Sequence, residues 1–249
     1  MGLSCVFALL ALAADFSGAT MDELKAAADK ARTHYDLELG QSIIPELQTR
    51  INSTADTQSE ELRWVLAEDT LLVASLLRYR YEKPDTSNTE KRSLGEQIDQ
   101  TASIGFTALG GLPDTSEKHR IMSDLYAMMM RTRFKGNRFQ EAMHDNINKA
   151  LELDPKNAKA LVSQSRRKLF AEEEYGGDFE GGLALINEAI ELDPTDESAY
   201  ILRGLAYEQH DEPEKALADW EKALEINPDA RPAQEHLDRV RAKLAPAQP

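Results

Sequence analysis

Glu197–Ala230 reads ESAYILRGLAYEQHDEPEKALADWEKALEINPDA. Its small and large apolar residues recur at fixed steps: Tyr200-x2-Arg203-Gly204-x2-Tyr207-x8-Ala216-x3-Trp220-x2-Ala223-x4-Pro228. The spacing describes two helices joined by a tight turn. Gly204 and Ala216 are expected where the helices cross, because only small side chains let two backbones come within packing distance. Tyr207 and Trp220 fill the space beside them. Asp211-Glu212-Pro213 breaks the chain, and Pro213 suits the first turn of the second helix, where its missing N–H is not needed. Asn227-Pro228 ends that helix. One such hairpin cannot bury both of its faces, so copies are expected beside it.

The segments ALELDPKNA (150–158), AIELDPTDE (189–197) and ALEINPDA (223–230) are near-copies in register. Met143-x3-Ile147-x2-Ala150-x4-Pro155 repeats the second-helix spacing, after a helix expected to start at Asp114-x-x-Glu117 and run through Tyr126 and Phe134 to a turn at Gly136-Asn137. Gly182-x3-Ile186-x2-Ala189-x4-Pro194 repeats it again, with extra residues around Ala171–Asp178 and a turn at Gly176-Gly177-Asp178. Together these spacings resemble the tetratricopeptide repeat, Trp-x2-Leu-Gly-x2-Tyr followed by Ala-x3-Phe-x2-Ala-x4-Pro. Arg203 stands where Leu is usual, with Leu202 apolar one step early. The resemblance implies an all-α solenoid of antiparallel helix hairpins, with three repeats at 123–157, 158–196 and 197–230 inside a region spanning 122–230. In 231–249, Ala233, Leu237, Val240 and Leu244 form one stripe, as expected of a helix that caps the apolar end of a stack, and a disordered tail follows.

Upstream, 20–121 reads as divergent helical hairpins. Thr20-x-x-Glu23, Thr57-x-x-Glu60 and Ser87-x-x-Glu90 are helix-start signatures, while Lys83-Pro84-Asp85 and Gly110-Gly111-Leu112-Pro113 are breaks. The expected apolar stripes are Leu24, Ala28, Ala31, Tyr35, then Leu62, Leu66, Leu72, Leu76, Tyr79, then Leu94, Ile98, Ile104, Leu109. Residues 1–19 hold an uncharged run, Leu3–Ala14, ending in Ala11-x-Ala13. It is too short to span a bilayer and reads as a secretory leader cut near Ala13 or Ala14, although no Lys or Arg precedes it. Export, to a bacterial periplasm or an equivalent compartment, is therefore expected, with a cytosolic protein bearing a short N-terminal helix as the alternative.

The net charge is −15, from 44 acidic against 29 basic residues, which disfavours nucleic acid and anionic membranes as partners. Cys5 is the single cysteine, so no intrachain disulfide or thiolate metal site is expected. His34, His119, His144, His210 and His236 have no partners at metal-ligand spacing, and no nucleophile or phosphate-loop motif is present. No catalytic residue, metal or cofactor is expected.

In the family, positions 2, 5, 9, 12 and 13 of each first helix line a concave groove. Carried over on the expected boundaries, the resemblance implies a partner face of Arg131, Phe134, Lys135, Lys159, Arg166, Phe170, Ile201 and Leu205. A basic patch beside apolar residues in an acidic protein suits an acidic peptide or carboxylate. The competing reading pairs these arginines with carboxylates on neighbouring helices. The family's carboxylate clamp, Lys and Asn at positions 5 and 9, is absent from Ala127/Arg131, Val162/Arg166 and Ile201/Leu205. Two functions follow as expectations: a non-enzymatic scaffold for a protein or peptide, or a carboxylate-binding accessory protein of a TRAP-type solute transporter. An enclosed pocket around Arg131 and Arg166 would favour the second.

Overall fold

The computed structural model describes residues 14–53 and 56–244, without the side chains of 56–58 and 175, and among them every regular element is helical. The leader therefore lies largely outside the described residues, as does the tail at 245–249. No helix among the described residues is long and apolar enough to cross a membrane. The chain divides into two compact units. The first runs to Leu112, and the second holds Pro113 onward together with Thr33–Tyr35. The division falls inside the Gly110–Pro113 break, whereas the expected boundary after Ile121 would cut a helix.

The first unit contains α1 (Met21–His34) as far as Arg32, with α2 (Leu37–Ser53), α3 (Asp56–Glu82) and α4 (Asn88–Gly110). Thr20 and Glu23 cap α1 reciprocally: the Thr20 N–H donates to Glu23 Oε2 at 2.6 Å, and the Glu23 N–H donates to Thr20 Oγ1 at 3.2 Å. Ser87 caps α4 by accepting from the Glu90 N–H. Each helix buries one stripe: Leu24, Ala28 and Ala31 on α1, Ile43, Leu47 and Ile51 on α2, and Leu94, Ile98, Ala102 and Leu109 on α4. On α3 the inward stripe is Leu62, Leu66, Asp69, Val73 and Leu77, while Leu72 and Leu76 stay half-exposed. A carboxylate in mid-stripe hid that face from the pattern of apolar residues. Helix α3 packs on α2 and α4, and its Val73 lies so close to Gly40 of α2 that an added Cβ there would meet it at 2.8 Å.

The second unit is three hairpins and a closing helix. The pairs are α5 (Ser116–Met129) with α6 (Arg133–Leu153), α7 (Ala158–Phe170) with α8 (Phe179–Leu192), and α9 (Glu197–Gln209) with α10 (Pro213–Ile226); α11 (Arg231–Leu244) follows. Five starts have side-chain caps: Thr115, Thr132, Asn157, Asp178 and Asp196 each accept from a backbone N–H of the first turn. At the sixth, Pro213 takes the first helical position without such a cap.

The crossings use the small residues in the way the spacing predicts. A Cβ on Gly204 would sit 2.5 Å from Trp220 Nε1, and one on Gly182 would sit 2.7 Å from Leu169 Cγ. Ala216, Trp220 and Ala223 are fully buried, Tyr200 nearly so and Tyr207 half-buried, while Pro228 is exposed at the helix end. Arg203, the departure from the apolar pattern, donates to Asp219 of its own hairpin at 2.9 and 2.6 Å and to Asn187 of α8 at 2.6 Å. Leu202 takes the core position beside Leu169 and Ile186. In the insertion, a 3-10 turn (Glu173–Tyr175) ends at Gly176, whose φ of 87° is left-handed; Gly177 lies against the Ala171 carbonyl, and Asp178 caps α8. Helix α11 buries Ala233, Leu237 and Val240 with Trp220, and His236 stacks on the indole at 5.3 Å. It closes the stack as expected.

One helix is misplaced by the sequence pattern. Gly136-Asn137 is not a turn. The turn is Met130–Thr132, Thr132 caps α6, and Gly136 lies in helix with an ordinary negative φ. Ten helical residues precede Met143, where three precede Gly182 and Ala216. Counting a standard repeat length back from the Met143 spacing therefore starts the first unit at Ser123, in the middle of α5, although α5 itself begins at Ser116, where the Asp114-x-x-Glu117 signature places a helix start.

Candidate functional site

The helix starts Thr115, Asn157 and Asp196 put α5, α7 and α9 on one numbering. Ser123, Ser165 and Gly204 then share the crossing position, and all three are buried. Helix α7 packs against α5 on one side and α9 on the other, so the first helices lie next to one another as a face. On this numbering α7 contributes Lys159, Arg166 and Phe170, and α9 contributes Ile201 and Leu205. Lys159 is exposed and the other four are half-buried. Val162 and Leu169 turn into the core.

The contribution of α5 differs from the expected one. Arg131 falls in the turn before α6, and Phe134 and Lys135 lie in the first turn of α6, so the structure does not bring these three to the face of α7 and α9 as first-helix residues. The α5 positions are Glu117, Arg120, Asp124, Ala127 and Met128. Arg120 is buried and held from both sides: its Nε and Nη2 donate to Glu117 at 2.8 and 2.6 Å, and its Nη1 donates to Asp124 at 2.8 Å. Burial alone would raise the Glu117 carboxyl, but the Arg120 hydrogen bond and the charges of Arg120 and Lys159 outweigh it and hold it below its usual range. Asn157 Nδ2 ties Ser116 into the same cluster at 2.9 Å. The expected patch of aligned arginines is thus a self-neutralised triad on α5 and, on α7, Arg166, which forms no ion pair with a carboxylate among the described residues. The sequence signal for the triad was Glu117-x2-Arg120-x3-Asp124, neighbours on one helix face, and the shifted start concealed it. Arg120/Asp124 is no carboxylate clamp either.

The far end of the face is covered by α11. Glu208 of α9 receives Arg239 and lies 3.4 Å from His236 Nδ1 and 3.7 Å from Lys243 Nζ. Burial works to raise the Glu208 carboxyl, and the Arg239 hydrogen bond and charge prevail, leaving it lowered. His210, exposed in its turn, stacks on Phe179 with ring centroids 3.4 Å apart. A shallow hollow on α6, lined by Asn137, Gln140, Glu141, His144 and Asp145, includes neither Arg131 nor Arg166. Two carboxylates in its wall suit a carboxylate ligand poorly. Among the described residues no three His, Cys, Asp or Glu side chains are grouped to hold a metal.

Residues 198–230 match the family model of the tetratricopeptide repeat. No curated protein matches the chain. Among solved structures, TTC0263, a thermophilic TPR protein in Thermus thermophilus, is 15% identical over 88% of this chain and 99% of its own, with a TM-score of 0.57. That likeness shows the fold. YrrB, a TPR protein with an unusual peptide-binding site, is 14% identical over 85% of this chain and 96% of its own at a TM-score of 0.39. MamA is 16% identical over 82% and 96% at 0.35. These last two superpose too loosely to carry a conclusion. The chain has the fold of a tetratricopeptide-repeat protein.

Proposed function

We propose that this tetratricopeptide-repeat chain is a non-enzymatic scaffold that binds a protein or peptide partner along the face of its first helices. The observation behind this is the row of half-buried side chains Arg166 and Phe170 on α7 and Ile201 and Leu205 on α9, of which Phe170 and Ile201 rest against the core clusters and keep part of their surface exposed. Rigid helices present these groups without further ordering, so a bound segment loses little to conformational entropy on the scaffold's side. Arg166 offers a charge and the other three offer apolar contact, which is the chemistry of an extended or helical segment in a groove. Selection of a random displayed peptide library on the purified chain tests it. Selected peptides should lose affinity for the Ile201→Asp, Leu205→Asp double variant, and equal binding to that variant, still folded by circular dichroism, refutes the face.

We also infer export, supported by the uncharged Leu3–Ala14 run and its Ala11-x-Ala13 ending. N-terminal sequencing of the natural protein should begin at Ala14 or Asp15, and a retained Met1 refutes it.

A further inference from the structure

We propose that the first two turns of α6 form a second docking surface, off the first-helix face, for a short acidic segment of a partner protein that carries an apolar anchor. Phe134 is 74% exposed, whereas Leu153, Leu192 and Leu244, the other exposed large hydrophobics among the described residues, are between 41% and 46%. It stands on a helix fixed at both sides of the turn: Thr132 caps the start, and Phe139 packs on Tyr126 of α5 with ring centroids 5.8 Å apart. Arg138, one turn on from Phe134 and on the same face, lays its guanidinium over the Phe139 ring at 5.1 Å. Arg133 and Arg138 are exposed, and among the described residues neither is ion-paired to a carboxylate.

Charge selects the occupant. The first two turns of α6 carry the exposed Arg133 and Arg138 and no Asp or Glu before Glu141, inside a protein of net charge −15. A long polyanion such as a nucleic acid, or an anionic bilayer, would extend over the acidic remainder and be repelled. A segment of a few residues stays within about one Debye length, roughly 8–10 Å, of Arg133 and Arg138. An exposed aromatic flanked by arginines on a rigid element is also the composition in which binding energy concentrates at interfaces. The surface is independent of the face proposed above, because Ile201 and Leu205 belong to another hairpin.

The test is an array of synthetic dodecapeptides of graded Asp/Glu content, each with one Leu or Phe, probed with the purified full chain. Fluorescence anisotropy of the best member, labelled with fluorescein, then gives the affinity. Acid-rich peptides with the anchor should be retained and neutral or basic ones not. Phe134→Ala, and separately the Arg133→Glu, Arg138→Glu pair, should each weaken binding by about tenfold or more. Binding should also weaken with added salt, and the Ile201→Asp, Leu205→Asp variant should bind as the parent does. The substituted side chains are exposed, and circular dichroism verifies folding. The proposal is overturned by absence of acid preference, by unchanged affinity in both α6 variants, or by loss in the Ile201/Leu205 variant alone. A concentration-dependent dimer dissolved by Phe134→Ala assigns the surface to a second copy and overturns it, as does equal retention on phosphatidylglycerol vesicles.

Discussion

Asp69→Asn should change how the first unit's stability depends on pH. Asp69 is fully buried in the inward stripe of α3, and among the described residues neither of its carboxylate oxygens has a hydrogen-bond partner. Gly40 of α2 closes over it, with an added Cβ 3.4 Å from Oδ1, and Val73 flanks it. Arg32 of α1 is the cation that acts on it, but the ion pairs of Arg32 run to Asp29 and Glu68. Burial therefore wins over Arg32 and pushes the Asp69 carboxyl from 3.8 up to about 7. A carboxyl that keeps its proton more tightly in the folded state loses stability as the pH rises from the unfolded value to the folded one, and the loss is complete above the latter. The interval is about 3 pH units at about 1.4 kcal/mol each, or about 4 kcal/mol. Asn has the same shape and cannot ionise. Its own buried amide costs about 1–3 kcal/mol, but that offset does not vary with pH. Urea unfolding of parent and variant, followed by circular dichroism from about pH 4 to pH 8, isolates the ionisation: the free-energy difference should swing toward Asn by about 4 kcal/mol. A difference flat across this range refutes the unpaired carboxyl, and a swing toward Asp shows a carboxylate held by Arg32.

Two glycines should respond with opposite signs. Gly136→Ala, in helix with nothing within 4 Å of the new Cβ, should stabilise the second unit by about 1 kcal/mol, and Gly204→Ala, facing Trp220 Nε1 at 2.5 Å, should cost about 1–3 kcal/mol. Thermal unfolding measures both, and destabilisation at Gly136 would restore the turn that the sequence pattern placed there. Ending the chain after Ala230 removes α11 and leaves the Trp220 cluster in water. With Leu237 and Val240 burial worth about 2 kcal/mol each, the truncated chain should lose about 4 kcal/mol, and an unchanged melting temperature refutes the capping role.

What could be read in the sequence was whatever sterics dictate locally. Gly204 facing Trp220, Pro213 at a first turn, Asp178 as a cap and Leu202 replacing the apolar slot beside Arg203 each follow from one residue's shape or hydrogen-bonding capacity, so spacing alone located them. The errors arose where a position's role is set by distant partners. Arg131-Thr-Arg-Phe-Lys-Gly-Asn carries no apolar period and contains a Gly-Asn pair, so it imitates a turn. Thr132 as a cap and the Tyr126–Phe139 contact decide otherwise. A turn at Gly136-Asn137 would shift the binding positions along α5, putting Arg131, Phe134 and Lys135, which sit before or within the start of α6, in place of the buried, self-neutralised Arg120. Asp69 escaped for a related reason, since only the third dimension shows that α2 and α3 leave it no partner. Function depends on the same distinction. Positive charge that satisfies a neighbour, as in Arg120 and Arg203, stiffens the scaffold, whereas charge without a carboxylate partner among the described residues, as in Arg133, Arg138 and Arg166, remains available to a partner. Charge reversal of the second group should therefore affect binding and leave stability unchanged, and reversal of the first group should unfold a hairpin before any binding defect can be read.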